Sequence, residues 1–305
     1  MIDSIGRIRI GLALILLIGT MLAAIQLART AGRSWGRGTT LAYSSTRGGS
    51  ADIYLTDLSR GWLRPVTRAP GYDSEPSFSP DGSRIAFSSG REGNSDIFIM
   101  NLDGTGLRNL TRHPANESLP IWTPDGEWVA FVSDWQGALT TYLMSVDEAA
   151  LNTGGWRAFP STRAYYDVFG ASPDRARLVY VDSTEGRLEV IVRAANGTTS
   201  AISPTRGSSF NPLWSPDSQQ LAFESNADGN LDIYIGRADG AARPINLTAH
   251  PAVDYSPAWS PDGTQIAFVS NRNGSEDIYL ATIDGALLRR LTYLSGTNVT
   301  PVWMP

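Results

Sequence analysis

Apolar residues fall in short runs along this chain, separated by polar turns at regular intervals. The stretch "WSPDGTQIAFVSNRNGSEDIYLATIDG" begins at Trp259, and close copies begin at Ser77 and Leu213. Each copy predicts the same elements. "PxW" is a short strand, A. "SPDG" is a turn: Pro pre-sets φ at the second position, and Gly accepts positive φ at the fourth. "IAFxS" is a continuous apolar run that fits a buried strand, B. A polar loop with Gly leads to "DIYL", strand C. A "DG" turn leads to strand D, which ends in "LT" or "VT".

The central residue of the "IAF" phrase falls at Ala42, Ala86, Ala130, Val179, Ala222 and Ala267, so the steps are 44, 44, 49, 43 and 45 residues. Six units of this length fill the chain from residue 41 to 305. The period matches four-stranded propeller blades. Phe78, Trp122, Trp214, Trp259 and Trp303 share one repeat position. Rings of that size are expected between blades, where they bury much apolar area. The first unit opens at strand B, and the last closes on "PVWMP" with no strand B behind it. The expected fold is therefore all-β: a six-bladed β-propeller of four-stranded antiparallel blades, closed by its C-terminal strand.

Before the repeats, "IGLALILLIGTMLAAI" from Ile10 to Ile25 carries no charge, and Arg7 and Arg9 precede it. This predicts one N-terminal hydrophobic helix, an anchor or signal segment over residues 1–28 with its membrane contact at 10–28. Residues 29–40 read as a linker. Arg lies on both flanks, so the charge rule leaves orientation open. The net charge is −5, which argues against a nucleic-acid surface. There is no Cys, which excludes disulfides and thiolate chemistry, and the two His cannot build a multi-His metal centre.

The recurring "PxWSPDGxxIAFxSxRxGxxDIY…DG…LT" pattern resembles the propeller repeats of TolB-like proteins over residues 41–305. The same blades occur in relatives of prolyl oligopeptidase. The resemblance implies a periplasmic or cell-surface binding scaffold without a cofactor. The separate N-terminal α/β domain of TolB has no counterpart in the segment ahead of these blades.

Catalytic signals are sparse. A hydrolase of the prolyl-oligopeptidase type needs a "GxSxG" elbow, and none is present. His113 and His250 occupy equivalent places, "LTRHPANES" and "LTAHPAVDY", which points to loop structure. "NADGNLD", Asn226 to Asp232, starts like a calcium loop but has its Gly misplaced and Arg237 where Glu is needed. No metal site is expected. Arg47 and Asp52, Arg91 and Asp96, and Arg272 and Asp277 repeat at a spacing of five and are expected to bond across each B–C loop. Asp73, Glu117, Asp254 and Asn298 stand three positions before the strand-A Pro, and Ser209 takes that place once. They are expected to hold neighbouring loops or to form an acidic mouth for cationic groups.

The third unit breaks the pattern. It loses the Arg, turns "DIY" into "TTY", and lengthens the C–D loop. Trp135 falls in its B–C loop, and Tyr165, Tyr166 and Asp167 in its D–A connection. Those connections share one face, which makes these residues a candidate recognition patch for a protein or cell-wall glycan. Alternatively, the rings, with Trp156 and Phe159, fill the gap left by the missing Trp of the fourth blade. The favoured function is a membrane-tethered, non-enzymatic scaffold of the cell envelope, periplasmic or extracellular. The alternatives are a propeller hydrolase or lyase acting on carbohydrate or peptide, and a permanent accessory subunit of a membrane complex.

Overall fold

The computed structural model describes residues 39–147, 156–158, 170–184 and 186–305. The expected N-terminal helix, with its membrane segment 10–28, lies outside them. Among the described residues no helix is long and apolar enough to cross a membrane.

The first blade holds β1 (Thr40–Ser45), β2 (Asp52–Asp57) and β3 (Trp62–Pro65). The second holds β4 (Asp73–Phe78), β5 (Arg84–Ser89), β6 (Asp96–Asn101) and β7 (Arg108–Asn109). The third holds β8 (Glu117–Trp122), β9 (Trp128–Ser133), β10 (Thr140–Ser145) and β11 (Trp156–Ala158). The fourth holds β12 (Arg177–Thr184), β13 (Arg187–Ala194) and β14 (Thr199–Ala201). The fifth holds β15 (Ser209–Trp214), β16 (Gln220–Ser225), β17 (Asp232–Arg237) and β18 (Ile245–Asn246). The sixth holds β19 (Asp254–Trp259), β20 (Gln265–Ser270), β21 (Asp277–Thr282) and β22 (Leu288–Arg290). The last strand, β23 (Asn298–Trp303), pairs antiparallel with β1 and completes the first blade. The ring closes as the repeat count requires.

Every sheet is an antiparallel meander. In the fourth blade the described sheet has three strands, and the place of strand A is marked by a bridge between Ala171 and Leu178. That blade has Ala171 where the others carry Trp or Phe, so its inner strand lacks the ring that anchors its neighbours.

Strand A carries a feature the repeat pattern had hidden. The residue before its Pro has positive φ in all five described copies: Glu75 (56°), Leu119 (58°), Asn211 (54°), Ser256 (50°) and Thr300 (53°). The ladder with strand B shifts register there, as between Ser74 and Ser77. Pro has no N–H for the ladder, so a bulge absorbs it and bends the strand around the axis.

The core lies between blades. Ala42, Ile53 and Leu55 of the first blade share one cluster with Phe78, Ile85 and Phe87 of the second. Leu41, Tyr43 and Tyr54 cluster instead with Val269, Ile278 and Leu280 of the sixth. Each repeated Trp donates its indole N–H to strand A of the blade before: Trp122 to Ser77 O at 3.2 Å, Trp259 to Leu213 O at 3.1 Å and Trp303 to Ala258 O at 3.0 Å. These rings are buried and satisfied, as expected of inter-blade core. The A–B turns close as read from "SPDG": Ser79 Oγ donates to Asp81 at 2.6 Å and accepts from Arg84 N at 2.9 Å. The fourth turn position has positive φ at Gly82 (68°) and equally at Arg175 (59°) and Ser218 (65°), which have replaced Gly.

Candidate binding face

The B–C loops and D–A connections emerge together on one face. Beneath them each blade joins the next through a repeated polar seam. The Asp that opens strand C accepts the "LT" hydroxyl of its own blade: Thr67 to Asp52 at 3.3 Å, Thr111 to Asp96 at 3.1 Å, Thr248 to Asp232 at 3.2 Å and Thr292 to Asp277 at 2.7 Å. The next strand A then docks by its first N–H. Asp73 N donates to Ala51 O, and Glu117 N to Ser95 O, both at 2.7 Å.

The B–C loop Arg does not bond the Asp five residues on, which corrects the sequence expectation for Arg47–Asp52, Arg91–Asp96 and Arg272–Asp277. It turns inward to the first residue of its own strand A. Arg91 Nη2 contacts both carboxylate oxygens of Asp73 at 2.9 Å, Arg272 Nη2 reaches Asp254 at 2.8 Å, and Arg47 Nη2 reaches Asn298 Oδ1 at 3.0 Å. Each guanidinium lies over the strand-C ring, 4.5 Å from Tyr54, 4.8 Å from Phe98 and 4.9 Å from Tyr279. Strand C already spends its Asp on the Thr, while the strand-A acid stands under the loop within reach of the guanidinium. Asp73, Glu117 and Asp254 are 1%, 0% and 0% exposed. They line the seams rather than an open acidic mouth, because the loops above cover them.

In the third blade Trp135 stands where the first, second and sixth blades place Arg47, Arg91 and Arg272. Its ring lies 5.6 Å from Tyr142 and 5.0 Å from His113, and it remains 46% exposed. Its backbone N–H donates to Ser133 Oγ at 3.2 Å, and Ser133 Oγ donates to Glu117 Oε1 at 2.8 Å. Burial raises the pKa of Glu117 to about 7, and the nearby Asp96 adds to the rise against opposing hydrogen bonds from Ser133 and Thr111. Tyr165, Tyr166 and Asp167 lie outside the described residues, as does Phe159. Trp156 opens β11.

Two further acids, half-buried Glu75 and buried Glu224, join blades near the axis. Glu75 accepts from Ser88 Oγ at 2.7 Å and from Leu119 N of the next blade at 2.6 Å. Glu224 accepts from Asn211 Nδ2 at 3.0 Å and from Ser256 N at 2.9 Å. Burial raises both pKa values, that of Glu224 to about 7. The sequence signal for Glu224 was a charge inside "LAFES", the variable slot of a buried strand.

His113 and His250 shape loops: their Nδ1 atoms accept from Ala115 N at 3.1 Å and Ala252 N at 3.0 Å. In "NADGNLD", Asp228 Oδ2 accepts from both Tyr234 OH and Asn246 Nδ2, while its Oδ1 faces Arg206 at 3.6 Å. Among the described residues no three His, Cys, Asp or Glu side chains stand together as metal ligands. A cavity of about 580 Å³ opens on the opposite face, lined by Pro124, Ala171, Arg175, Leu178 and Arg193 among others.

Repeat, closure and seam geometry together define a propeller of the TolB type. The family model described as the TolB beta propeller domain matches residues 33–167 and 169–305, and the chain belongs to that family. Among solved structures, TolB from Acinetobacter baumannii is similar at TM-score 0.70 and 18% identity, covering 90% of this chain and 69% of that one. A putative TolB from Agrobacterium tumefaciens is similar at TM-score 0.61 and 23% identity, covering 84% and 91%. A Mycobacterium tuberculosis puromycin-hydrolyzing peptidase is similar at TM-score 0.52 and 18% identity, covering 90% and 48%. At these identities the likeness is one of fold. No curated protein matches the chain.

Proposed function

We propose that this propeller is a non-enzymatic docking module of the cell envelope, tethered through residues 10–28, with the blades on the periplasmic or extracellular side. Its B–C/D–A face takes a protein or cell-wall glycan partner, with Trp135 as the anchor and Tyr165, Tyr166 and Asp167 beside it. Asp73, Glu117 and Asp254 serve by holding the loops of that face in place. The observation that carries this reading is Trp135: an indole 46% exposed, braced by His113 and Tyr142, where three other blades place an inward-turned Arg. Rigid, half-exposed aromatics supply contact area at low entropic cost.

The test is photocrosslinking in native membranes from a probe at position 135, with a probe at position 175 on the opposite face as control. A dominant adduct from 135 alone supports docking. Equal labelling from both positions, or none from either, overturns it.

A further inference from the structure

The repeat supplies its own controls for the third blade. Five seams are described, each pairing the first strand-A residue with the B–C loop residue of the same blade: 18 positions on for Asp73 with Arg91, Asp254 with Arg272, Ser209 with Ala227 and Glu117 with Trp135, and across the ring closure for Asn298 with Arg47. Where the first residue is charged or an amide, an Arg usually answers it. Where the Arg is lost to Ala227, the acid is lost too, and Ser209 bonds Ser225 at 2.9 Å. Glu117 alone keeps its carboxyl without an arginine. It is 0% exposed, and its Oε2 has no hydrogen-bond partner.

The groups around Glu117 can be named from each element packed on it. Asp96 faces it from β6, with its Oδ1 accepting both Thr111 Oγ1 at 3.1 Å and His113 N at 3.2 Å. Ser95 O accepts the Glu117 N–H, and the Ser95 hydroxyl donates to Glu117 O at 2.6 Å. Ser133 comes from β9. Beyond it, Asp134 accepts from Asn116, and Glu92 accepts from Asn109. His113 packs on Trp135. Besides the Ser133 hydroxyl at 2.8 Å, the Glu117 carboxyl thus has a second carboxyl, Asp96, among its neighbours, and two buried anions set side by side repel strongly.

We propose that Glu117 carries a titrating proton that couples external pH to the loop presenting Trp135. Protonated, Glu117 donates to Asp96 and the seam is neutral. Deprotonated, it sets two buried carboxylates together, and the strain passes through Ser133 to the Trp135 N–H. The regulatory meaning rests on Trp135 being a docking residue; the coupling itself does not.

The test uses the full chain and no partner. Carboxyl ¹³C NMR on Glu-labelled protein, assigned with Glu117→Gln, should show Glu117 titrating near pH 7. Amide exchange across residues 134–137, corrected for intrinsic rate, should lose protection about tenfold per pH unit between about pH 5 and about pH 7, then level off. The slope should vanish in Glu117→Gln. Trp135→Arg, which restores the guanidinium, should move the titration down toward the ordinary carboxylate range and flatten the same slope. Titration of Glu117 in the ordinary range, or an unchanged loop profile in both variants, overturns the proposal. Failure of crosslinking at 135 with this slope intact would sink the docking reading and leave the proton coupling standing.

Discussion

Removing residues 298–305 takes strand A from the first blade and opens the ring. The loss can be sized from the structure. Val302 and Trp303 are each 1% exposed. Deleting such side chains costs about 2 kcal/mol for a valine and about 3–5 kcal/mol for a tryptophan. Asn298 bridges Arg47 at 3.0 Å and Asp277 at 3.1 Å, so two charged groups lose a buried partner at about 1–3 kcal/mol each. The total reaches about 7 kcal/mol before the ladder with β1 is counted, against about 5–15 kcal/mol for a whole domain. The truncated chain should therefore fail to hold its fold, rather than fray at one blade. Urea unfolding followed by circular dichroism and tryptophan fluorescence, with size-exclusion chromatography, reads this directly. Trp303→Ala gives a graded version, with an expected loss of about 3–5 kcal/mol. A truncation with an unchanged midpoint and slope would refute closure as the source of cooperativity.

Four further outcomes follow from the same geometry. Arg272→Ala strands the 0%-exposed Asp254 and should cost about 3 kcal/mol in urea unfolding, whereas Ala227→Arg in the fifth blade, which has no acid to meet, should bring no gain. Glu224 has its folded pKa raised to about 7, so the folded state holds its proton more tightly than the unfolded chain; stability from this group should fall from about pH 4.5 to about pH 7 by about 3 kcal/mol, a slope that Glu224→Gln should abolish in pH-resolved melts. Arg175 holds positive φ at an exposed turn, so Arg175→Gly should stabilise by about 1 kcal/mol and raise the melting temperature. Trp135→Ala should leave the melting temperature within about 2 °C of the parent while abolishing partner capture from native membranes.

Strand order, turn type and closure were legible because the repeat states them many times and each follows from local chemistry. The partner of the B–C loop Arg was not. Spacing along the chain favoured Asp96 for Arg91, five residues on, but the meander brings Asp73, 18 residues back, under the loop while Asp96 is taken by Thr111. The loop Arg meets Asp in two blades and Asn298 in a third, and is lost together with the acid at Ser209 and Ala227; Glu117 opposite Trp135 is the exception. The bulge before each Pro was also missed, since "PxW" reads as plain strand until the ladder shows the register shift. Asp73, Glu117 and Asp254 stand out in the repeat as a set, but their burial is set by the loops packed over them, which the repeat pattern does not state. Trp135 was visible as a break in the pattern. What it replaces became clear only when the three arginines were seen folded inward.

The shared first blade also fixes how the domain bears mechanical load. β1 begins at Thr40 and β23 ends at Trp303, and both ends lie on the face of the A–B turns, away from Trp135. A pull on the chain at Thr40, opposed by a partner held at the far face, runs along the strands. Hydrogen bonds in an antiparallel ladder lie across that direction. β1 is gripped on one side by β2 and on the other by β23, so both ladders are sheared at once instead of being peeled open bond by bond. The first element to feel tension is thus held by the two ends of the sequence together.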